Sequence, residues 1–323
     1  MKTGMWKKLL SLLLIVMVFS TTAAVRCGFK YRKAKLEKQC EIDLGEDRIT
    51  DVESYGSESF LCVINENELR LISSQGTILN SHSFDEKITL VDADCYGSNN
   101  ILVVLGGKTA VIFTFDEEQN KLNKKAEFSC DKTIISASAS YDFAYIVLEN
   151  GDLFGLDVRN LGNDPAAGEE ASADLKLMHQ NVRLVGKRGF VLNDNSYICM
   201  DQFTLNTHYD PFDEEIIGVA NVNGCFQIIT SSAIYEPVIP TEIKKLQKID
   251  NGLVYTSNGG YFYVKNDKFY YTGFLNSKEH HSPYAPEAKQ SRVDIPEGYR
   301  YSSIVCGIVC YDDHKLICYS VDG

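Results

Sequence analysis

Residues 134–162, IISASASYDFAYIVLENGDLFGLDVRNLG, constrain the fold of this chain more than any other stretch. Two apolar runs, 134–139 and 144–148, lead to Asn150-Gly151, and a third run follows at 153–156. Asn-Gly between apolar runs supplies the positive φ of a two-residue hairpin, so the stretch reads as three short strands in succession. So small a sheet leaves a face uncovered and is not stable alone in water. It has to stack against units like itself, and the rest of the chain is expected to supply them.

The same pattern recurs on both sides. A first copy has runs at 49–52, 59–64 and 68–72, with Asn65-Glu66-Asn67 as a turn that tolerates left-handed backbone. A second has 88–94, 101–105 and 110–115 around Gly106-Gly107. A fourth has 189–192 and 197–200 around Asn193-Asp194-Asn195, after a start near Val182. The fifth reads 216–220, 225–229 and 233–235; the sixth reads 246–249, 253–255, 261–264 and 269–271, with a turn at Asn258-Gly259-Gly260. The last has one run at 303–310, a turn at Asp312-Asp313-His314 and a run at 316–319.

The starts near Ile49, Ile88, Ile134, Val182, Ile216, Ile243 and Ser302 average about 42 residues apart, the span of four-stranded propeller blades. Helical periodicity is confined to the N-terminus and residues 171–178, which disfavours an α/β fold. The expected architecture is all-β: a closed β-propeller of seven blades over residues 25–323, preceded by an N-terminal apolar helix. A sandwich or a pair of barrels is the all-β rival. Polar excursions at 163–180 and 275–298 read as surface loops that could present a binding surface.

Residues 1–24 have Lys2, Lys7 and Lys8, an apolar core at 9–19 and small residues up to Ala24. That three-part order is a secretory signal peptide with cleavage after Ala24. The alternative is an uncleaved anchor, because residues 9–25 reach the lower limit of a spanning helix. Arg26, Lys30, Arg32, Lys33, Lys35 and Lys38 follow it, and the positive-inside tendency would then leave the body in the cytosol. The secretory pathway or a membrane-associated location is therefore expected, with the cleaved signal favoured. No asparagine has Ser or Thr two places on, so there is no glycosylation acceptor. The ten cysteines are spread through apolar runs such as FLCVI, as buried thiols are; the even count leaves disulfides open if the body is lumenal.

A net charge of -12 argues against nucleic acid as a partner, despite the basic stretch 26–38. No phosphate loop, nucleophile elbow or dinucleotide fingerprint is present. Cys306 and Cys310, four apart in one run, point the same way but stand too far apart to share a metal unaided. His280-His281 sits in a polar loop without a second pair; Asp210, Asp213, Glu214 and Glu215 could hold a cation or serve acid–base work, but read first as a solvated loop between strands. Tyr261–Tyr263 and Phe269–Tyr271 could form a stacking surface, although alternation makes half of them core. No catalytic residue, metal ligand or cofactor is assigned.

The third copy resembles the repeat of the regulator of chromosome condensation family. The matching residues are Ser138-Ala-Ser-Tyr-Asp142, Tyr145-Ile-Val-Leu148, Glu149-Asn-Gly151, Leu153-Phe-Gly155 and, more loosely, 157–162. Residues 216–235 are a second match, and Cys27-Gly28-Phe29 stands where that family closes its ring with the N-terminus. Phe143 replaces the family's recurrent histidine, and Gly155-Leu156 its Trp-Gly pair. The resemblance implies a propeller; its members act as guanine-nucleotide exchange factors or as chromatin and ubiquitin-pathway scaffolds, and no exchange-factor residue maps here.

Three functions follow as expectations. The first is a non-catalytic scaffold for an unidentified protein partner, with a membrane contact through the N-terminal segment. The second is an exchange factor for a small GTPase. The third is a lumenal or extracellular enzyme using the centre of the ring, for which Asp51, Asp92 and Asp94 are the available carboxylates.

Overall fold

The computed structural model describes residues 35–322, apart from 57–58, 95–99, 117, 120, 141, 162–174, 188, 201–206, 223–224, 239–241, 251–253, 258–259, 274–290 and 305–306. The expected N-terminal helix, and Cys27-Gly28-Phe29, lie outside the described residues.

A single strand, β1 (Lys35–Asp43), precedes seven groups. The first is β2 (Ile49–Tyr55), β3 (Ser59–Ile64), β4 (Glu68–Ser73) and β5 (Ile78–Ser83). The second is β6 (Ile88–Ala93), β7 (Asn100–Leu105), β8 (Thr109–Asp116) and β9 (Lys121–Ser129). The third is β10 (Ile134–Ala139), β11 (Phe143–Leu148), β12 (Leu153–Asp157) and β13 (Lys176–His179), with a 3-10 turn at Val158–Asn160 after β12. The fourth is β14 (Val182–Gly186), β15 (Gly189–Leu192), β16 (Tyr197–Cys199) and β17 (Thr207–Tyr209). The fifth is β18 (Ile216–Val222), β19 (Cys225–Thr230), β20 (Ala233–Val238) and β21 (Glu242–Lys248). The sixth is β22 (Val254–Ser257), β23 (Gly260–Lys265), β24 (Lys268–Gly273) and β25 (Ser291–Arg292). The seventh has β26 (Arg300–Ile304), β27 (Gly307–Tyr311) and β28 (Lys315–Asp322).

Each of the first six groups forms one antiparallel sheet in sequence order, and the seventh takes β1 as its fourth strand, in the order β1-β28-β27-β26. This is a seven-bladed β-propeller. First strands of successive sheets touch one another, and β26 touches β2, so the first strands lie at the axis and the fourth at the rim.

Among the described residues, seven apolar cores lie between adjacent sheets and none lies within one. Leu61, Val63, Leu69 and Leu71 of the first sheet pack on Ile101, Val103, Val111 and Phe113 of the second. Tyr145 and Val147 of the third meet Val185 and Phe190 of the fourth. Phe60, Cys62 and Ile64 of the first meet Val309, Leu316 and Cys318 of the last. Because middle strands are covered on both faces, they read as unbroken apolar runs; every residue of β7, NILVVL, is buried. Rim strands keep one edge and much of one face in water, and β9, KLNKKAEFS, alternates accordingly.

That difference explains why the sequence showed three runs per unit and not four. It also corrects several boundaries. Residues 242–248, expected to open the sixth unit near Ile243, are β21, the rim strand of the fifth. Residues 176–178, the end of the helical periodicity at 171–178, belong instead to β13, which pairs with β12. The excursion at 275–298 ends in structure: Ser291 pairs with Tyr271 and Val293 is buried. The run at 303–310 is not one strand but the arms of a hairpin, with Ile304 opposite Gly307. Asn150-Gly151 does not make a two-residue turn. Leu148 N–H donates to Asp152 O at 2.9 Å and Gly151 N–H to Leu148 O at 2.8 Å, and only Gly151, at φ +86°, is left-handed, so the loop has three residues and a glycine bulge.

Gly307 shows how tightly the last sheet is closed on itself. A Cβ there would lie 1.8 Å from Tyr319 O on the neighbouring β28, inside the backbone and beyond relief by side-chain movement. Gly307→Ala is expected to lower the free energy of unfolding by about 2 kcal/mol or more, read by urea denaturation. A change below about 0.5 kcal/mol would show that β27 and β28 are not this close.

Candidate functional site at the propeller axis

The first strands of five units begin in the same way. Ile49, Ile88, Ile134, Val182 and Ile216 are buried β-branched residues. Their N–H groups reach back to the preceding sheet: Ile88 donates to Glu66 O at 2.6 Å, Ile134 to Gly107 O at 2.7 Å, Val182 to Gly151 O at 2.9 Å and Ile49 to Asp313 O at 2.7 Å. Ile216 donates to the Asn195 side-chain oxygen at 2.9 Å. In all five, the ladder to the second strand then slips by one residue, leaving a bulge at Thr50, Thr89, Ile135, Arg183 and Ile217.

Three residues past the bulge, the first three units carry Glu53, Asp92 and Ser138 at equivalent places. They form the polar centre of the molecule. Asp92 Oδ2 accepts from Ser138 Oγ at 2.9 Å and from Ala139 N–H at 2.7 Å, tying the second sheet to the third. Lys187, on the turn after β14, donates to Ala93 O at 2.6 Å and lies 4.0 Å from Asp92 Oδ1, bringing in the fourth. Ser136 Oγ accepts from Val185 N–H at 3.1 Å. Asp94 is buried, and its N–H donates to Asn100 O at 2.9 Å.

Glu53 accepts from Ser54 Oγ at 3.3 Å, on its own strand. Removal from bulk water, and next the charge of Asp92, push its carboxyl up to about 8, against the opposing pull of Lys187. Asp51 is raised too, mainly by the surrounding protein, while its hydrogen bond from Val52 N–H and the charge of Arg300 oppose the rise. Of the carboxylates expected at the centre, Asp51 and Asp92 are thus brought into one electrostatic neighbourhood with Glu53. Glu53 and Lys187 escaped the sequence reading. The spacing of Glu53 from Ile49, matched by Asp92 from Ile88, was a usable signal; nothing local ties Lys187 to a carbonyl 94 residues away. Chemically the cluster offers a carboxyl that holds a proton near neutrality beside Asp92, and the bonds of Asp92, Ser136 and Lys187 run from sheet to sheet.

The bulge residues at the other end of the first strands form a second feature. Thr50 and Thr89 donate their hydroxyls to Val63 O at 3.1 Å and Val104 O at 3.2 Å, carbonyls of the adjoining strand. Units three and five place Ile135 and Ile217 there instead, 45% and 44% exposed. Between them Arg183 donates to Asn195 Oδ1 and Ile216 O, both at 2.7 Å. Arg300 does the same for the last junction, reaching Ile49 O at 2.8 Å and Asp313 at 3.0 Å, with its guanidinium 4.7 Å from the Tyr311 ring centre. Arg300, Tyr311, Asp313, His314 and Lys315 line an open cleft of about 480 Å³.

Other expected features resolve into structure. Glu214 accepts from Thr230 and Ser232 hydroxyls at 2.7 and 2.6 Å, and those bonds hold its carboxyl below the usual range, so the acidic loop is in part a strut. Tyr261, Phe262, Tyr263 and Tyr271 are buried, and Tyr263 stacks on Tyr270 at 5.7 Å, which makes the aromatic run core. Cys310 is buried. His280-His281 and Cys306 lie outside the described residues, as do residues 163–174 and 275–290 of the two excursions. Among the described residues no group of three or more His, Cys, Asp or Glu side chains is arranged to hold a metal ion, and no helix is long and apolar enough to cross a membrane.

No protein-family model matches this sequence, and no curated protein matches it. Solved structures do resemble it. The β-propeller domain of Cps50 (Swd1) from Myceliophteria thermophila superposes with a TM-score of 0.56 at 8% identity, over 88% of this chain and 99% of that one. Hsv2 of Kluyvelomyces marxianus gives 0.52 at 10% identity, over 82% and 89%. The N-terminal domain of Nup159 gives 0.50 at 10% identity, over 91% and 97%. The likeness is one of fold.

Glu53 gives the axis cluster a measurable signature. A carboxyl raised from 4.5 to about 8 binds its proton more tightly when folded, so its stabilising contribution is complete below pH 4.5 and is lost as pH rises toward 8. Glu53→Gln is expected to flatten that decline, gaining about 2 kcal/mol on the wild type between pH 4.5 and pH 8 in denaturation midpoints. Parallel pH profiles would show that Glu53 titrates normally.

Proposed function

We propose that the seven blades close into a ring through β1 and that the ring is a non-catalytic scaffold for a protein partner. The partner docks on the face that carries the starts of the first strands. One observation supports this above the others: Ile135 and Ile217 occupy the bulge position where sister units use threonine. The threonine hydroxyl satisfies a backbone carbonyl, whereas isoleucine offers no donor and leaves its methyl groups in water. Two such residues on alternate units, with the Arg183 guanidinium between them, supply the combination that anchors protein interfaces: apolar side chains around an arginine, on a rigid frame. The resemblance in shape to propeller structures supports the frame alone.

The test compares two charged variants. Ile135→Asp with Ile217→Asp removes both anchors, and Ile78→Asp, at an equally exposed rim position on β5, serves as control. Both are expected to keep stability within about 0.5 kcal/mol of the wild type. Proximity labelling in cells is expected to lose a defined set of partners with the double variant and to retain them with the control. Retention of every partner by the double variant would contradict docking on this face.

A further inference from the structure

Cys40 and Cys318 meet where the two ends of the chain are joined. They are direct cross-strand partners between β1 and β28. Directly opposed residues of an antiparallel pair project to the same face with Cβ atoms about 4.5–5.5 Å apart, close to the separation that a disulfide spans. Both belong to one core, Cys318 buried beside Val309 and Leu316 and Cys40 packed half-buried at its margin. Cys310 is not a competitor: it stands opposite Ile317, one residue out of step with Cys318, so its side chain leaves the other face of the sheet.

We propose that Cys40 and Cys318 form a redox clasp that covalently fastens the N-terminal strand to the C-terminal sheet. The oxidant is a low-molecular-weight disulfide. The Cys40 thiolate attacks one of its sulfurs, forming a mixed disulfide and releasing one thiolate. Cys318, giving up its proton to solvent, then attacks Cys40 Sγ and releases the second. Two protein thiols become one disulfide, and the small disulfide is reduced to two thiols.

The order of attack follows from the environment. Cys40 is the more accessible sulfur, and a hydrogen bond from the Cys318 thiol, ahead of all other causes, lowers it to about 7, while the same bond and burial hold Cys318 far above its ordinary range. Elsewhere burial pushes the Cys62 thiol well up and Cys310 up to about 12, so neither is a ready nucleophile. Among the strands of its sheet β1 has one neighbour, β28, and the side-chain ion pair between them, Asp43–Lys315, is exposed and weak. A covalent bond adds to that single line of pairing a link that does not open when the strands fray.

The experiment equilibrates the full chain with excess oxidised or reduced glutathione, quenches in acid, alkylates and maps the peptides by mass spectrometry, with melting curves of both forms. A Cys40–Cys318 peptide is expected in the oxidised sample, with Tm raised by several degrees over the reduced form and no such rise in Cys40→Ser. Glutathione left on Cys40, Cys40 joined to another cysteine, two unmodified thiols, or a linked peptide with no change in Tm would each overturn the clasp. Peptide mapping uses the wild-type chain, so the outcome does not depend on the folding of a variant.

Discussion

Each sheet of this protein is apolar on both faces and has no core of its own, and the rest of the structure follows from that. The middle strands are buried on either side, and fully burying one Val, Leu, Ile or Phe side chain is worth about 1.5–3 kcal/mol. That gain is available only when a neighbour supplies the other half of the contact. Seven sheets with their first strands together meet the requirement in sequence, and described residues of the last sheet share a core with the first. The seventh sheet is completed by β1, so the first and last described strands pair within one sheet.

Cover alone would not fix how neighbouring sheets align. The bond from the N–H of a unit's first residue to a turn of the unit before it does so at five junctions, reaching a backbone carbonyl at four and the Asn195 side chain at the fifth. It also explains the bulge: the first residue is pulled toward the previous sheet, and the ladder slips before it resumes. The extra residue is thereby freed from the sheet. Threonine returns that freedom to the backbone through a hydrogen bond, arginine bridges to the next unit, and isoleucine leaves a methyl surface on one face. A single backbone device thus produces both the regular frame and the irregular surface by which such a frame can be distinguished from others of its kind.

The frame was largely legible in the sequence because its determinants are local. Apolar runs bounded by Asn-Gly, Gly-Gly or Asn-Glu-Asn mark the inner strands, and five unit starts, Ile49, Ile88, Ile134, Val182 and Ile216, are first residues of first strands. What was missed depends on contacts between distant segments. Rim strands such as β21, EIKKLQK, have little apolar signal because one neighbour suffices to hold them. The hairpin inside 303–310 was hidden because buried arms make its two strands read as one; Gly307, required by the approach of Tyr319, was its only mark. Glu53 was overlooked among alternating residues of an apparently ordinary strand, and Lys187 joins the axis cluster only through the fold. The pairing of Cys40 with Cys318 brings together the two extremes of the described chain, where no local spacing could point to it.

If sheets are stable only against one another, they should unfold together. Hydrogen exchange across a urea series, read by mass spectrometry on peptides from β3, β7, β11 and β27, measures this directly. The wild-type chain should lose protection in all four at one denaturant concentration, and removal of residues 1–43 should lower that concentration in all four alike. Loss of protection in β27 alone, with β3, β7 and β11 unchanged, would mean that the sheets hold themselves and that the junction of the two chain ends is an ornament of the fold rather than its support.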